Sequence, residues 1–203
     1  MKKILLIIII IFLTGCYNYT EINDLAFISS IGIDYNKTNE RFIVTYEILN
    51  DNSTGEGKIN KSYTISAEGK NITDAFNNTS LKVNNKPYFY HLKIIAIDET
   101  VAKKYTKDIV DYILRNPNVK NEFFLILIKN AKAKDILDKS DEVDPDIGNK
   151  IFKMIKSNEE QNNISIDQNF EATTKFFTSK LSNALINTFT INDKDEIIEL
   201  GLS

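Results

Sequence analysis

The chain has 203 residues, with 25 lysines and arginines against 28 aspartates and glutamates, one histidine and one cysteine. A formal net charge of -3 argues against a nucleic-acid-binding protein, which carries a strongly basic domain or stripe. One cysteine excludes an internal disulfide and a thiolate zinc cage, and one histidine excludes a histidine-rich metal site. Composition therefore excludes several common catalytic centres, and it indicates no cofactor.

The first fifteen residues differ from the rest of the chain. Two lysines follow Met1, and an unbroken run of ten apolar residues extends from Ile4 to Leu13. This order is typical of a secretory signal peptide, which we predict over residues 1–15. The apolar run is shorter than the roughly 20 residues that a transmembrane helix requires, and an uncleaved anchor is the alternative.

The segment Leu13-Thr14-Gly15-Cys16 resembles the lipobox of bacterial lipoproteins. The resemblance implies cleavage before Cys16, a diacylglycerol thioether on its sulfur and an acyl group on its new amino terminus. Removing residues 1–15 takes away two of the 25 basic residues and no acids, so 23 basic residues remain against 28 acidic ones, a charge of -5. A polybasic patch therefore does not hold the chain at a membrane, and the lipid has to anchor it. Residues 16–24 are then a lipidated tether.

The first half of the mature chain alternates between strand and helix patterns. Alternating apolar residues and turn signals predict strands over 28–35, 41–49 and 59–67, with a glycine-containing loop at 50–58 before the third. Short connections between consecutive strands favour an antiparallel meander. Apolar side chains at helical spacing then predict an amphipathic helix over 71–83, with Asn71 as its N-cap.

The second half predicts further elements, some of them strongly apolar. These are strands over 89–97, 122–128 and 196–202, and helices over 101–114, 132–137, 146–156 and from Phe176 to Thr188. Asn116-Pro117 is expected to end the helix predicted over 101–114. The segment from Asp138 to Gly148 holds five acids and Pro145, which is typical of a solvated linker or a domain edge.

Together these elements predict an α+β fold, in which an antiparallel or mixed sheet packs with amphipathic helices. We expect an N-terminal α+β domain at 25–138, followed at 139–203 by a linker and an incomplete second domain. The last strand, Ile197 to Leu202, needs a partner for its backbone groups. It either joins the first sheet or belongs to that second domain.

The side chains that could carry chemistry form no convergent set in the sequence. In a strand, His91 would share its face with Lys93, Ile95 and Ile97, a poor ligand set, so we expect a structural histidine. The acids Asp141, Glu142, Asp144 and Asp146 lack the ligand spacing of an EF-hand loop.

Two further patterns fail for similar reasons. Gly55-x-Gly57 is not followed by the lysine and hydroxyl residue of a phosphate-binding loop, and Ser29-Ser30 lacks the glycines of a nucleophile elbow. Aromatic residues without interleaved basic residues are expected in the core and not in a stacking platform. These aromatics are Phe123, Phe124, Phe176 and Phe177.

Several motifs follow one another in an order that resembles a known family. They are Glu21-Ile22-Asn23-Asp24-Leu25-Ala26, Ile31-Gly32-Ile33-Asp34, His91-Leu92-Lys93-Ile94-Ile95, Leu114-Arg115-Asn116-Pro117 and Lys132-Ala133-Lys134-Asp135-Ile136-Leu137. This order resembles the C-subunit lipoproteins of spore germinant receptors, the Ger(x)C family. Tyr17 and Thr20 depart from the tryptophan and the basic residue that the family often has there. Family members have three domains and are much longer, so we expect a shortened form.

The resemblance implies a non-enzymatic subunit of a germinant receptor, lipidated on Cys16, at the outer face of the spore inner membrane. Its implied partners are the membrane, an integral membrane subunit and an A-type subunit, with the small-molecule germinant involved only indirectly and no nucleic acid. Two alternatives stay open. One is a substrate-binding lipoprotein that delivers a small nutrient to a transporter, and the other is a lipid-anchored enzyme.

Overall fold

The computed structural model describes residues 21–50, 61–116, 119, 122–141, 143–161 and 186–202. A 3-10 helix over Ile22–Asp24 precedes the first strand. The strands are β1 (Leu25–Asn36), β2 (Arg41–Ile48), β3 (Tyr63–Gly69), β4 (Lys86–Tyr88), β5 (Ile94–Asp98), β6 (Phe124–Ile128), β7 (Asn187–Ile191) and β8 (Ile197–Leu202). The helices are α1 (Ile72–Lys82), α2 (Glu99–Lys104), α3 (Thr106–Leu114), α4 (Ala133–Leu137) and α5 (Ile147–Gln161).

Within the described residues, eight strands form one mixed sheet in the order β3-β2-β1-β5-β6-β7-β8, and β4 pairs with the start of β1. The first three strands form the predicted antiparallel meander. Strands β1, β5, β6 and β7 run parallel, and β8 returns antiparallel to β7. Parallel neighbours need long crossovers, and the helices α2 to α5 lie in two of them. The predicted α+β fold with a mixed sheet is confirmed.

Helices cover both faces of the sheet, and each face has its own apolar core. In β5, Ile95 and Ile97 belong to the core beneath α1, α2 and α3, while Ile94 and Ala96 belong to the core beneath α4 and α5. Successive side chains of a strand point to opposite faces, so a strand covered on both sides is apolar at every position. This explains the continuous apolar runs of β5 and β6.

Two predicted elements are each divided in the structure, which corrects the sequence interpretation. The strand predicted over 89–97 is a turn followed by β5, because Leu92 donates its N–H to the carbonyl of Phe89 at 3.1 Å. Both side chains are buried although neither residue lies in a strand. The helix predicted over 101–114 is interrupted at Tyr105, whose ring packs at 4.9 Å from the rings of Tyr35 and Phe42.

The C-terminal part differs from prediction at residues 186–188 and resolves one alternative. Asn187 and Thr188 lie in β7 and Ile186 precedes that strand, whereas the part of the predicted helix up to residue 185 lies outside the described residues. Ile197–Leu202 pairs with β7, which itself pairs with β6, so the last strand extends the first sheet. The division at residue 138 into two domains stays a prediction.

The second half of the acidic segment 138–148 packs against the sheet. Ser62 donates its N–H to the carbonyl of Pro145 at 2.7 Å, and Ile147 and Gly148 are buried. A β-carbon placed on Gly148 would lie 2.7 Å from Ser29 Oγ and 3.0 Å from the Ser29 carbonyl oxygen. Only glycine allows this close approach of α5 to β1.

We therefore predict that Gly148→Ala lowers the free energy of unfolding by about 1–3 kcal/mol, since the overpacking outweighs the better helix propensity of alanine. Asn149→Ala, in the same turn of α5, is the matched control and should change stability little. Urea unfolding followed by circular dichroism measures both. Equal stability of Gly148→Ala and the wild type would show that this contact does not restrict the helix.

Candidate functional site

Three buried carboxylates, each at or near the end of its strand, accept hydrogen bonds from the starts of helices. Asp34 of β1 accepts from the first residues of α4, Glu47 of β2 from those of α5, and Asp98 of β5 from α2. The first N–H groups of a helix have no partner within it, and its N-terminus favours negative charge. The three acids therefore position three helices on the sheet.

Glu47 has the most complete set of partners. Its Oε1 accepts from the Ile147 N–H at 2.7 Å and from Ser62 Oγ at 2.6 Å. Its Oε2 accepts from the Gly148 N–H at 2.9 Å and from Ser30 Oγ. Burial raises the pKa of Glu47, and these hydrogen bonds act in the opposite direction. Both oxygens are occupied by donors of the fold itself, so this carboxylate has a structural role.

Asp34 and Gly32 together receive α4. The two oxygens of Asp34 accept the N–H groups of Ala133 at 2.7 Å and Lys134 at 3.0 Å. A β-carbon on Gly32 would lie 3.2 Å from Leu137 Cδ1 and 3.3 Å from Ala133 Cβ. Burial raises the pKa of Asp34 to about 6, although the two backbone N–H groups lower it.

Ser29 and Ser30 of β1 are buried, and both help to hold α5 against the sheet. Ser30 Oγ donates to Glu47, and Ser29 Oγ donates to Asp146 Oδ1 at 2.5 Å. The same oxygen of Asp146 accepts the Asn149 N–H at 2.9 Å, which caps α5. Both hydroxyls therefore connect β1 to side chains that hold α5.

His91 does not lie in a strand, which corrects its predicted surroundings. It is an exposed residue of the turn between β4 and β5, and its ring meets the ring of Phe27 edge-on at 5.4 Å. The strand alternation with Lys93, Ile95 and Ile97 therefore does not apply. The error arose because the apolar residues around His91 are buried through a turn.

The other residues considered as candidates for a functional site are far apart, bonded to neighbouring groups or outside the described residues. Asp141 Oδ1 accepts the N–H groups of Val143 and Asp144 at 2.8 Å, which lowers its pKa, and Asp144 pairs with Lys150 at 2.5 Å. In the part of the chain that the structure describes, no three His, Cys, Asp or Glu residues are grouped to hold a metal ion. Phe123 and Phe124 are buried as predicted, whereas six candidates lie outside the described residues, namely Cys16, Gly55, Gly57, Glu142, Phe176 and Phe177.

Two cavities open on the described surface. One of about 500 Å³ lies between the start of α1 and the end of α3, and its wall includes the ion pair of Asp111 with Arg115 at 2.7 Å. The other, of about 330 Å³, lies at the start of β1, between Ile22 and Tyr63. We call it the sheet-end groove. Among the described helices, none is long and apolar enough to cross a membrane.

Comparison of the sequence with known families identifies the domain to which most of the chain belongs. Residues 18–191 match the model of the spore germination protein N-terminal domain. The chain belongs to this family. The match begins two residues after Cys16 and includes the three helix-docking carboxylates, so in this family member the motifs around Asp34 and Ala133 are the two halves of one contact.

Three relatives from Bacillus subtilis (strain 168) support the assignment. Spore germination protein KC is 30% identical over 167 residues, which are 78% of this chain and 40% of that protein. Putative spore germination protein YfkR is 32% identical over 142 residues, 67% of this chain and 37% of that protein. Spore germination protein A3 is 28% identical over 152 residues, 72% of this chain and 39% of that protein. The chain thus spans about two fifths of these relatives, and no solved structure matches it.

Sequence reasoning assigned Glu47 no role, because the alternation that predicts the strand over 41–49 puts it on one face with Arg41 and Thr45. In the structure that face is covered by α5, and the contact joins residues 100 positions apart. The signal in the sequence is an isolated acid between two apolar neighbours, Tyr46 and Ile48, in a strand whose other charged residue is Arg41 at its start.

We predict that Glu47→Ala lowers the free energy of unfolding by about 3 kcal/mol, because it leaves buried N–H groups of α5 without acceptors. Glu47→Gln keeps one acceptor oxygen and should lose less. Glu68→Ala, on the neighbouring strand β3 but exposed, is the control. In the protein carrying Glu47→Ala, hydrogen exchange of residues 147–161 should accelerate more than exchange of residues 72–82. An equal change in both regions would contradict the role assigned to Glu47.

The raised pKa of Asp34 predicts a dependence of stability on pH. Because the folded state holds this proton up to about pH 6 and the unfolded state releases it near pH 3.8, the ordinary pKa of an aspartate, Asp34 favours folding fully only below pH 3.8. Its contribution is lost as pH rises through about 6, a change of up to about 3 kcal/mol.

The measurement compares the wild type with Asp34→Asn by urea unfolding between pH 4 and 7. The stability of the wild type relative to the variant should fall as pH rises through this window. Asp24→Asn, which removes an exposed carboxylate just before β1, is the control for the effect of pH on the rest of the protein. A relative stability that rises with pH would show that the N–H groups of α4 outweigh the burial of Asp34.

Proposed function

We propose that this protein is a lipid-anchored, non-catalytic subunit of a spore germinant receptor and acts in spore germination as an interaction module. The observation that carries the proposal is the position of the family match. The spore germination protein N-terminal domain begins at residue 18, directly after the lipobox-like segment that ends at Cys16. A signal peptide followed at once by this domain is the arrangement of an exported, lipid-anchored domain.

The buried carboxyl groups are engaged by the fold itself and are not arranged for catalysis. Glu47, Asp34 and Asp98 are the buried carboxyl groups considered as candidates for catalysis, and each accepts N–H donors of the fold. General acid–base catalysis needs a carboxyl group within reach of a substrate proton. These carboxyls instead hold helices in place.

The proposed partners come from the resemblance to the Ger(x)C family. The names of the relatives describe spore germination proteins, and the chain covers about two fifths of each, so assembly with receptor subunits is part of the proposal. The partners are an integral membrane subunit and an A-type subunit at the outer face of the spore inner membrane, with the germinant sensed indirectly. The alternative of a substrate-binding lipoprotein is less well supported, since such proteins usually place a cleft between two α/β lobes. The described residues form a single sheet.

We predict that Cys16→Ser leaves the protein without its lipid, either soluble or unprocessed, and slows germination of spores that contain it at wild-type abundance. Serine offers no thiol for the diacylglycerol group, and the acidic mature chain has no polybasic patch that would replace the lipid. Membrane fractionation, metabolic labelling with palmitate and the loss of spore refractility measure the effect. Asn18→Ser, which leaves the lipobox intact, is the control.

Unchanged labelling and membrane retention of Cys16→Ser would exclude the lipid anchor. Normal germination with an unlabelled variant would separate the anchor from the germination role and would count against the receptor assignment.

A further inference from the structure

The end of the sheet at which β1 begins carries aromatic and aliphatic side chains that face solvent. Ile22 is 67% exposed, Tyr63 48% and Tyr90 47%. Isolated apolar residues on a surface need no explanation, but a contiguous group with aromatic members marks an interaction surface. We call Ile22, Tyr63, Tyr88 and Tyr90 the sheet-end patch.

Contacts on this part of the molecule hold the patch together. Ile22 and Tyr63 lie on the wall of the sheet-end groove, which Phe27 also lines. The ring of Tyr88 meets Phe27 edge-on at 5.5 Å, and the ring of Tyr90 stacks on Tyr88 at 5.0 Å between centroids. Phe27, on the first strand after the tether, therefore connects the Tyr88–Tyr90 pair to the groove that Ile22 and Tyr63 line.

The short helix that carries Ile22 is held to the rest of the fold. Asn85 Nδ2 donates to the carbonyl of Asn23 at 2.8 Å, and the Asp24 N–H donates to the carbonyl of Glu21 at 3.0 Å. Ile22 is thus presented by a folded segment next to β1. The patch is a fixed surface of the domain.

Covalent geometry places this surface close to the predicted lipid anchor. Glu21 follows Cys16 by five residues. A chain extends by at most about 3.6 Å per residue, so Glu21 lies no more than about 18 Å from the lipidated residue. The headgroup region of one leaflet is itself about 5–8 Å deep. Whatever path the tether takes, the start of β1 stays within this distance of the lipidated residue.

Charge and residue type favour contact with lipid over electrostatic attraction. The exposed residues around the patch include two lysines, Lys61 and Lys86, and two acids, Glu21 and Asp24, so their formal charges cancel. Tyrosine is enriched at membrane–water interfaces, where its ring is buried among the headgroups and its hydroxyl stays hydrated. The patch has the composition of such an interface.

We propose that the sheet-end patch is a membrane-contact surface that lies in the headgroup region of the bilayer to which Cys16 is attached. The proposal rests on the lipid anchor of the proposed function and adds an orientation to it. Eleven residue steps of β1, about 36 Å at 3.3 Å each, separate Leu25 from Asn36. In the proposed orientation β1 runs away from the bilayer, and the β1–β2 turn lies on the side open to a partner.

The composition of the chain makes a direct test possible. The sequence has no tryptophan, and its only thiol is Cys16. Single substitutions Tyr63→Trp and Tyr90→Trp introduce one reporter each, and Thr38→Trp in the exposed β1–β2 turn is the control. The chain from Cys16 to Ser203 is coupled through that thiol to a maleimide phospholipid in phosphatidylcholine liposomes. This imposes the anchor chemically, so the test does not depend on lipidation in cells.

The measurement is quenching of tryptophan emission by phospholipids brominated near the headgroup. Tyr63→Trp and Tyr90→Trp should lose about half of their emission, whereas Thr38→Trp should keep nearly all of it, because its distance exceeds the depth of the headgroup region several-fold. Raising the salt concentration should leave the quenching unchanged, since the local charges cancel. Circular dichroism and urea unfolding confirm that each variant is folded.

Absence of quenching at both patch positions in the coupled chain would overturn the membrane contact and would leave the patch for a protein partner. Equal quenching at Thr38→Trp would also overturn it, because the domain would then have no preferred orientation. Neither result would affect the lipid anchor, which the Cys16→Ser experiment tests separately. Conversely, loss of the cellular anchor would leave the result for the coupled chain intact.

Discussion

The hydrogen bonds of the buried Glu47 carboxylate hold much of the sheet face that α4 and α5 cover. An ionised carboxylate in a protein interior costs several kcal/mol unless donors surround it. Here α5 supplies two N–H groups that would otherwise lack partners, and Ser30 and Ser62 supply two hydroxyls. The contact between Glu47 and the start of α5 offsets two costs, that of burying the charge and that of burying the helix N-terminus. Removing either partner leaves the other unsatisfied.

Asp34 and Asp98 repeat this solution on β1 and β5, and glycine makes two of the contacts possible. Gly32 lets α4 approach β1, and Gly148 lets α5 approach it. These polar contacts lie along and beyond the middle of β1, while the sheet-end patch lies at its start. The fold thus separates an interior held by buried acids from an aromatic end near the predicted anchor. This separation is consistent with a domain that is fixed at a membrane by one end and presents the other to partners.

Much of the fold followed from local periodicity. The meander, the helix capped by Asn71 and the short apolar strand β6 were predicted because each depends on residues close in sequence. The break at Tyr105 and the turn before β5 were missed for a common reason. In both places an apolar or aromatic side chain is buried by contacts with other elements, so the hydrophobic pattern continues where the helix or strand does not. His91 was misplaced for the same reason.

By itself the sequence determined the lipobox-like segment, the net charge of the mature chain, the alternation of strands and helices and the family motifs, because all of these are local or compositional. Only the tertiary structure decided that the last strand extends the first sheet, that the acidic segment packs on β3, and that Glu47 faces α5. A hydrogen bond across 100 residues depends on how the chain folds back, and a covered strand face has the same residue spacing as an exposed one. The packing of α5 therefore assigns Glu47 to the interior.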